Sequence, residues 1–168
     1  MNYANLKTYD FANGPGVRVS LFVSGCTHRC KGCFNQEAWD FDYGKPFDEA
    51  AMEEILGYLK PSYIKGITYL GGEPMDPRNQ AGLLELSQKI KAAYPEKSIW
   101  CFTGYVWERI PQVDGITQEL ISLCDVIVDG PFVMEKKNLN LRFRGSENQR
   151  LIDVPKTLAE GRVVLWDV

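Results

Sequence analysis

Three of the chain's five cysteines fall within eight residues, and their thiols are the groups best suited to chemistry. Cys26, Cys30 and Cys33 follow the spacing C-x3-C-x2-C. A loop with this spacing can bring three thiolates to one metal centre. Structural zinc takes four protein ligands, and iron–sulfur clusters are usually held by four thiolates. A set of three therefore suggests a metal centre with one open coordination position, which is the arrangement of a catalytic site.

A structural zinc site is an alternative that these residues leave open. It would need a fourth ligand from Cys101, Cys124 or His28, the only histidine of the chain. His28 stands between two cysteines of the motif, where it can hardly turn back onto the same metal, and we interpret it as a loop residue. Cys101 falls in a predicted strand and Cys124 follows a predicted helix. We interpret both as small buried hydrophobic residues outside the metal site.

Length and composition indicate a single domain over residues 1–168. Hydrophobic residues make up 45% of the chain, which is enough for a packed core. The formal net charge of −3 argues against non-specific nucleic-acid binding, which needs a basic surface. No apolar run is long enough to cross a membrane, and residues 1–7 lack the apolar core of a signal peptide. We therefore expect a cytoplasmic protein whose thiols stay reduced.

Strands and helices alternate along the sequence and decide where its motifs lie. Runs of β-branched and aromatic residues predict strands, and apolar residues at helical spacing predict helices. The predicted strands are 17–23, 64–70, 98–102, 125–128 and, in the tail, 163–166, and the predicted helices are 47–60, 78–94 and 116–123. Asp48 is the predicted N-cap of the first helix, and Pro61 ends that helix.

Each of the first four predicted strands leads directly into a polar or glycine-rich motif. These motifs are Cys26 to Cys33, Gly71 to Pro74, Thr103 to Tyr105 and Asp129 to Phe132. Because strands alternate with helices, we expect an α/β fold with a mostly parallel sheet. Ligands of such sheets bind at the carboxyl ends of the strands. One ligand could therefore contact all four motifs.

The cysteine motif, followed by the aromatic Phe34, resembles the signature of the radical S-adenosylmethionine (SAM) superfamily. The segment 14–26, with Gly-Pro-Gly-Val-Arg, a phenylalanine and then Gly-Cys, is similar to the longer signature of the glycyl-radical-enzyme activases. The segment 142–150, with Arg-Phe-Arg-Gly-Ser and Asn-Gln-Arg, resembles the branch of those activases that serves the anaerobic ribonucleoside-triphosphate reductase. The likeness runs from about residue 9 to about residue 154.

The resemblance implies an open partial (β/α) barrel of the radical SAM type. It also implies a [4Fe–4S] cluster on Cys26, Cys30 and Cys33, with SAM bound to the fourth iron through its amino and carboxylate groups. Reductive cleavage of SAM would give a 5′-deoxyadenosyl radical, which in activases takes a hydrogen atom from a backbone glycine of the partner enzyme. The implied partners are the glycyl radical subunit of the reductase and an electron donor such as flavodoxin or ferredoxin.

The resemblance further implies which residues contact SAM. Main-chain groups at the end of the cysteine motif would meet its adenine. The Gly-Gly-Glu-Pro run at 71–74 resembles the superfamily's GGEP motif and would meet the methionine end, because glycines let the backbone approach a ligand closely. The expected SAM contacts are Gly32, Cys33, Phe34, Gly71, Gly72, Glu73, Thr103 and Asp129.

Two other functions stay open at this point. One is a radical SAM enzyme that acts on a small molecule, and the other is a binding module that carries zinc or a cluster without catalysis. The roles of Arg142, Arg144 and Arg150 are also open. Their segment could close over SAM, dock the partner enzyme, or be a solvated loop.

Overall fold

A computed structural model describes residues 1–33 and 36–167 of the chain. Within them, the strands are β1 (Asn2–Asp10), β2 (Val17–Val23), β3 (Lys45–Pro46), β4 (Ile64–Gly71), β5 (Ser98–Phe102), β6 (Val126–Asp129) and β7 (Arg150–Asp153). The α-helices are α1 (Glu49–Leu59), α2 (Pro77–Ala93), α3 (Thr117–Leu123) and α4 (Val154–Glu160). Short 3₁₀ turns lie at Gln36–Trp39, Trp107–Arg109 and Met134–Lys136.

All seven of these strands form one sheet in the order β3-β1-β2-β4-β5-β6-β7. The four central strands, β2, β4, β5 and β6, run parallel to one another. Antiparallel strands extend the sheet at both edges, β1 and β3 on one side and β7 on the other. The predicted α/β fold with a mostly parallel sheet is confirmed, and an open barrel of the radical SAM type stays a prediction.

Helices cover one face of the sheet and enclose the main core. The predicted apolar stripe of α1 faces this core through Met52, Ile55, Leu56 and Leu59. Asp48 caps α1 as predicted, because its side chain accepts a hydrogen bond of 2.9 Å from the main-chain N–H of Ala51. Cys101 and Cys124 also lie in this core, as expected. Among the described residues, no helix has the length and apolarity that a membrane span requires.

The opposite face of the sheet carries a second, aromatic cluster. Trp100 of β5 packs edge-on against Phe143 and Trp166, with ring centroids 5.3 and 5.0 Å apart. The predicted tail strand at 163–166 is wrong. In this segment Leu165 makes one isolated antiparallel bridge to Ile152, and the Trp166 side chain packs into the cluster instead. The tail therefore adds a single bridged residue to the edge of β7, through main-chain hydrogen bonds from Asp153 to Val164 and from Trp166 to Leu151, and covers the sheet face with the Trp166 side chain.

Arg18 of β2 is fully buried against neutral oxygen atoms. Its guanidinium donates to the hydroxyls of Thr68 and Ser98 and to the carbonyls of Pro15, Ile67 and Ser98, at 2.8 to 3.2 Å. Burial lowers the pKa of Arg18 to about 10, so the group remains charged at neutral pH. One charged side chain thus joins β2, β4 and the start of β5.

We expect Arg18→Met to lower the free energy of unfolding by roughly 3 kcal/mol or more, because several buried acceptors lose their donor at once. Denaturant unfolding measures the change. Arg162→Met is the matched control, since that side chain is 73% exposed and its ion pair with Glu160 lies at the surface. The control should change the free energy by less than about 0.5 kcal/mol. Equal, small effects of the two substitutions would contradict this account.

Candidate functional site

The carboxyl ends of β2, β4, β5 and β6 border one cavity of about 250 Å³. All three cysteines of the motif line it, together with residues 71–73 after β4 and 103–104 after β5. Gly130 and Phe132 complete the wall beside β6. The four strand-end motifs therefore meet at one place, as the parallel order of their strands requires.

We call the segment from Cys26 to Cys33 the cysteine loop. The residue directly before it is a glycine that has no room for a side chain. Gly25 has a φ of 101°, and a Cβ atom there would lie 1.9 Å from the ring of Phe41. Main-chain hydrogen bonds from Gly25 to Ala38, at 2.6 Å, and from Cys26 to Trp39, at 3.1 Å, fix the start of the loop. The first cysteine is therefore held against the segment that follows the loop.

The three thiols are withdrawn from water to different degrees, since Cys26 is buried and Cys30 and Cys33 are half-buried. Burial raises the pKa of the Cys26 thiol to about 11, and it also raises the pKa of Cys30. A metal centre that binds here must displace the thiol protons.

The donor set fits an iron–sulfur cluster. Thiolates are the ligands that such clusters use. Within residues 1–33 and 36–167, no three His, Cys, Asp or Glu side chains lie close enough together to chelate a single metal ion. A cluster distributes its cysteine ligands over different iron atoms, so it does not need three sulfurs that meet at one ion. The three thiols nevertheless line the same cavity.

The carboxylate of Glu73 joins three loops of the site. It is 1% exposed, and each of its oxygens has two hydrogen-bond partners. Oε1 lies 2.6 Å from Nε2 of His28 and accepts from the main-chain N–H of Gly104, also at 2.6 Å. Oε2 accepts from the main-chain N–H of Met75 and from the hydroxyl of Thr103, both at 2.7 Å. The cysteine loop and the ends of β4 and β5 are thus tied to one buried group.

The expected SAM contacts fall into three groups. Cys33, Gly71, Gly72, Glu73 and Thr103 line the cavity. Among the described residues, Gly32 and Asp129 are not part of the lining. Phe34 lies outside the residues that the structure describes.

Asp129 has other partners for its carboxylate. It is 1% exposed and accepts hydrogen bonds from the guanidinium of Arg150, at 2.5 to 3.1 Å, and from the main-chain N–H of Trp107, at 2.9 Å. These bonds to Asp129 raise the pKa of Arg150. Arg150 also pairs with Glu108 at 2.8 Å. Contact between Asp129 and SAM stays a prediction, and the present partners of its carboxylate are Arg150 of β7 and the main chain of Trp107 after β5.

Residues 142–150, the arginine-rich segment, border the cavity through Gly145 and Gln149. The Gln149 side chain accepts from the main-chain N–H groups of Gly145 and Ser146 and donates to the carbonyl of Gly130 at 3.1 Å. Arg144 donates to the carbonyl of Gln149. Arg144 and Arg150 therefore hold the segment in place at the mouth of the cavity.

His28 is the residue that the sequence interpretation did not place in the site. It lies in the loop as expected, yet its ring lines the cavity and contacts Glu73, which is 45 positions away. No local pattern signals such a contact. The only sequence signal is that the single histidine of the chain stands inside the cysteine motif.

Comparisons with known proteins agree with an iron–sulfur site. A family described as a 4Fe-4S single cluster domain matches residues 12–152. The anaerobic ribonucleoside-triphosphate reductase-activating protein of Enterobacteria phage T4 is 43% identical over 153 residues, which is 90% of this chain and 93% of that protein. Proteins of the same name from Pasteurella multocida and Escherichia coli K12 are 42% and 41% identical over 151 residues. These matches cover 89% of this chain and 95% and 96% of those proteins.

We expect Gly72→Ala to destabilise the site, because the new Cβ would lie 2.6 Å from the carbonyl oxygen of Gly25 and 2.9 Å from that of Ala38. Main-chain atoms cannot move aside as a flexible side chain does. Thermal unfolding should report a loss of roughly 1–3 kcal/mol. Gly57→Ala, in α1 with no atom near the new Cβ, is the control and should stabilise by about 0.5–1 kcal/mol. A Gly72→Ala protein as stable as the unsubstituted one would contradict the expected collision.

Proposed function

The chain belongs to the family of anaerobic ribonucleoside-triphosphate reductase-activating proteins, and we propose that it activates such a reductase by generating a glycyl radical on it. The observation that carries the proposal is the meeting of three cysteines and the glycine-rich end of β4 at one cavity. The family's description supplies the iron–sulfur cofactor. The radical chemistry and the SAM cofactor are our proposal.

We propose that Cys26, Cys30 and Cys33 hold a [4Fe–4S] cluster and that SAM completes its coordination. Bound together, the two cofactors would supply the reductive cleavage of SAM to methionine and a 5′-deoxyadenosyl radical, which takes a hydrogen atom from a glycine of the reductase. The chain supports this with three soft donors on one cavity.

The proposed SAM site uses the ends of β4 and β5. Gly71 and Gly72 both line the cavity. A Cβ atom on either would lie within 2.7 Å of main-chain atoms of β2 or of the loop after it, so the packing of the site itself requires glycine at both positions. Glu73 and Thr103, bonded to each other, form the adjoining wall. We assign the adenine end to the main chain of residues 32–34, of which Phe34 lies outside the described part of the chain.

Apolar side chains form the remaining wall and protect the reaction from water. Leu70, Phe102 and Phe132 line the cavity beside the cysteines. A carbon-centred radical needs surroundings without reactive solutes, and closing a site against water prevents side reactions. The protein's contribution in this proposal is therefore to bind, orient and shield, and no acid–base pair is required.

The partner is proposed to approach the mouth of the cavity, where residues 142–150 lie. Arg142 is exposed, and Leu139 beside the segment is 87% exposed. We propose that this rim meets the glycyl radical subunit of the reductase, and that a cytoplasmic flavodoxin or ferredoxin supplies the electron.

Replacing any one of Cys26, Cys30 or Cys33 with Ala should abolish the intact cluster, because each would supply one thiolate to a centre that already has an open position. Iron and sulfide content after anaerobic reconstitution, with the visible absorption spectrum, measures the effect. Cys101→Ala and Cys124→Ala are the controls, since both thiols lie in the core under the helices. A Cys101 variant that lost the cluster while a Cys30 variant kept it would show that the ligands are misassigned.

The direct test of the activity uses reductase whose radical-site glycine carries deuterium. Mixed anaerobically with the reduced protein and SAM, it should transfer deuterium into 5′-deoxyadenosine. Unlabelled reductase should show a glycine-centred doublet in electron paramagnetic resonance, and the doublet should collapse towards a single line in the labelled protein, because deuterium then occupies the remaining α position. Reductase with alanine at that glycine is the control and should give neither signal. If SAM is cleaved but no label moves and no radical forms on the reductase, the activase assignment fails while SAM cleavage stands.

A further inference from the structure

The imidazole of His28 packs against residues of two other loops, those that follow β4 and β5. Its Nε2 atom lies 2.6 Å from Glu73 Oε1, and its ring packs edge-on against Tyr105 with centroids 4.5 Å apart. The His28 side chain is only 17% exposed, although it belongs to a loop at the edge of a cavity. The ring is therefore held by both a polar and an apolar contact.

The position of the His28 ring requires that residue 104 be a glycine. A Cβ atom on Gly104 would lie 2.6 Å from Cδ2 and 2.7 Å from Nε2 of His28, so the imidazole fills the space where that side chain would be. The main-chain N–H of Gly104 meanwhile donates to the same carboxylate oxygen that His28 contacts. The end of β5 thus contacts the cysteine loop through Gly104 and Tyr105, which both border the ring of His28.

The carboxylate that His28 contacts is itself immobile. Its other three hydrogen bonds come from Thr103, Gly104 and Met75, which lie outside the cysteine loop. His28 stands midway between Cys26 and Cys30 in the sequence. Its contact with Glu73 therefore connects the middle of the loop to a fixed point, in addition to the main-chain bonds of Gly25 and Cys26 that hold the start of the loop.

We propose that His28 is a positioning residue for the cluster: its bond to Glu73 holds the cysteine loop in the conformation that receives iron and sulfide. The inference rests on the proposed assignment of the three cysteines as ligands. It gives His28 a role through the carboxylate and not as a metal ligand, since Nε2 faces Glu73. Residues that hydrogen-bond to a metal ligand and orient it act in a similar way, because their loss weakens metal binding.

Two substitutions separate the bond from the bulk of the ring. His28→Leu keeps an apolar side chain of similar size without a donor, and His28→Gln keeps a terminal N–H that can reach Glu73. The measured quantities are the rate of iron loss to a chelator under anaerobic conditions and amide hydrogen exchange of residues 26–33 in the metal-free protein. We expect His28→Leu to lose iron roughly tenfold faster and to exchange faster in the loop. His28→Gln should return both rates towards those of the unsubstituted protein.

A remote core variant distinguishes positioning from general loss of stability. Val126→Ala removes buried apolar volume from the aromatic-cluster side of the sheet and does not touch the cysteine loop. It should lower the unfolding temperature and leave iron loss unchanged. If His28→Leu lost iron no faster than Val126→Ala, or if His28→Gln behaved like His28→Leu, the positioning role of the bond would be overturned.

The Cys30→Ala variant distinguishes a failure of the ligand assignment from a failure of the positioning role of His28. If that variant retained a normal cluster, the ligand assignment would be wrong, and the inference on His28 would be overturned with it. If Cys30→Ala lost the cluster and His28→Leu kept it at the unsubstituted rate, the ligands would stand and the positioning role would not. The expected result is loss of the cluster in the first variant and fast loss of iron in the second.

Discussion

One buried carboxylate holds together the loops around the candidate site. Removing an acceptor such as Glu73 from water is unfavourable unless hydrogen bonds replace the lost hydration. Here His28, Gly104, Met75 and Thr103 supply those bonds, and they come from three different loops. Each loop is therefore needed to satisfy a group that the others also need. The cysteine loop and the ends of β4 and β5 consequently form one unit, although they are far apart in the sequence.

A second buried ionisable group stabilises the sheet at the beginning of the same strands. Arg18 joins the start of β2 to β4 and β5 through neutral oxygens alone. Between these two groups, the face under the helices is mainly apolar, with residues such as Leu21, Ile67 and Ile99 fully buried. Apolar burial supplies the main driving force for folding, and it has no direction. The hydrogen bonds of Arg18 and Glu73 fix how neighbouring strands align, and so where the loops at their ends come to lie.

The local patterns of the sequence predict the central fold well. Strands β2, β4, β5 and β6 and helices α1 to α3 follow from β-branched runs and helical apolar spacing, and the parallel order follows from their alternation. The edge strands β1 and β7 escape prediction because they are short or polar and are stabilised by their neighbours in the sheet. The tail is the opposite case, since its sequence predicts a strand that the structure does not form. Its β-branched run satisfies strand propensity, but the run makes a single bridge to β7, and the Trp166 side chain packs on Trp100.

The candidate site is predictable to a different extent. Its cysteines and its glycine-rich strand ends stand out in the sequence because their chemistry is encoded in residue type and spacing. The partners of its carboxylates do not stand out. The contacts of Glu73 with His28 and of Asp129 with Arg150 join residues that only the folded chain brings together. Residue type indicates a polar group at each position, and only the packing decides whether that group meets a ligand or another side chain.

The central claim is that three cysteines leave one coordination position open and that SAM, not a protein side chain, fills it. Electron–nuclear double resonance of the reduced protein, with SAM labelled at its amino nitrogen, tests this claim most directly. The account predicts a hyperfine coupling from the labelled nitrogen, and no coupling from a label placed in the imidazole of His28. Coupling from the imidazole, or none from SAM under conditions where SAM is bound, would contradict it.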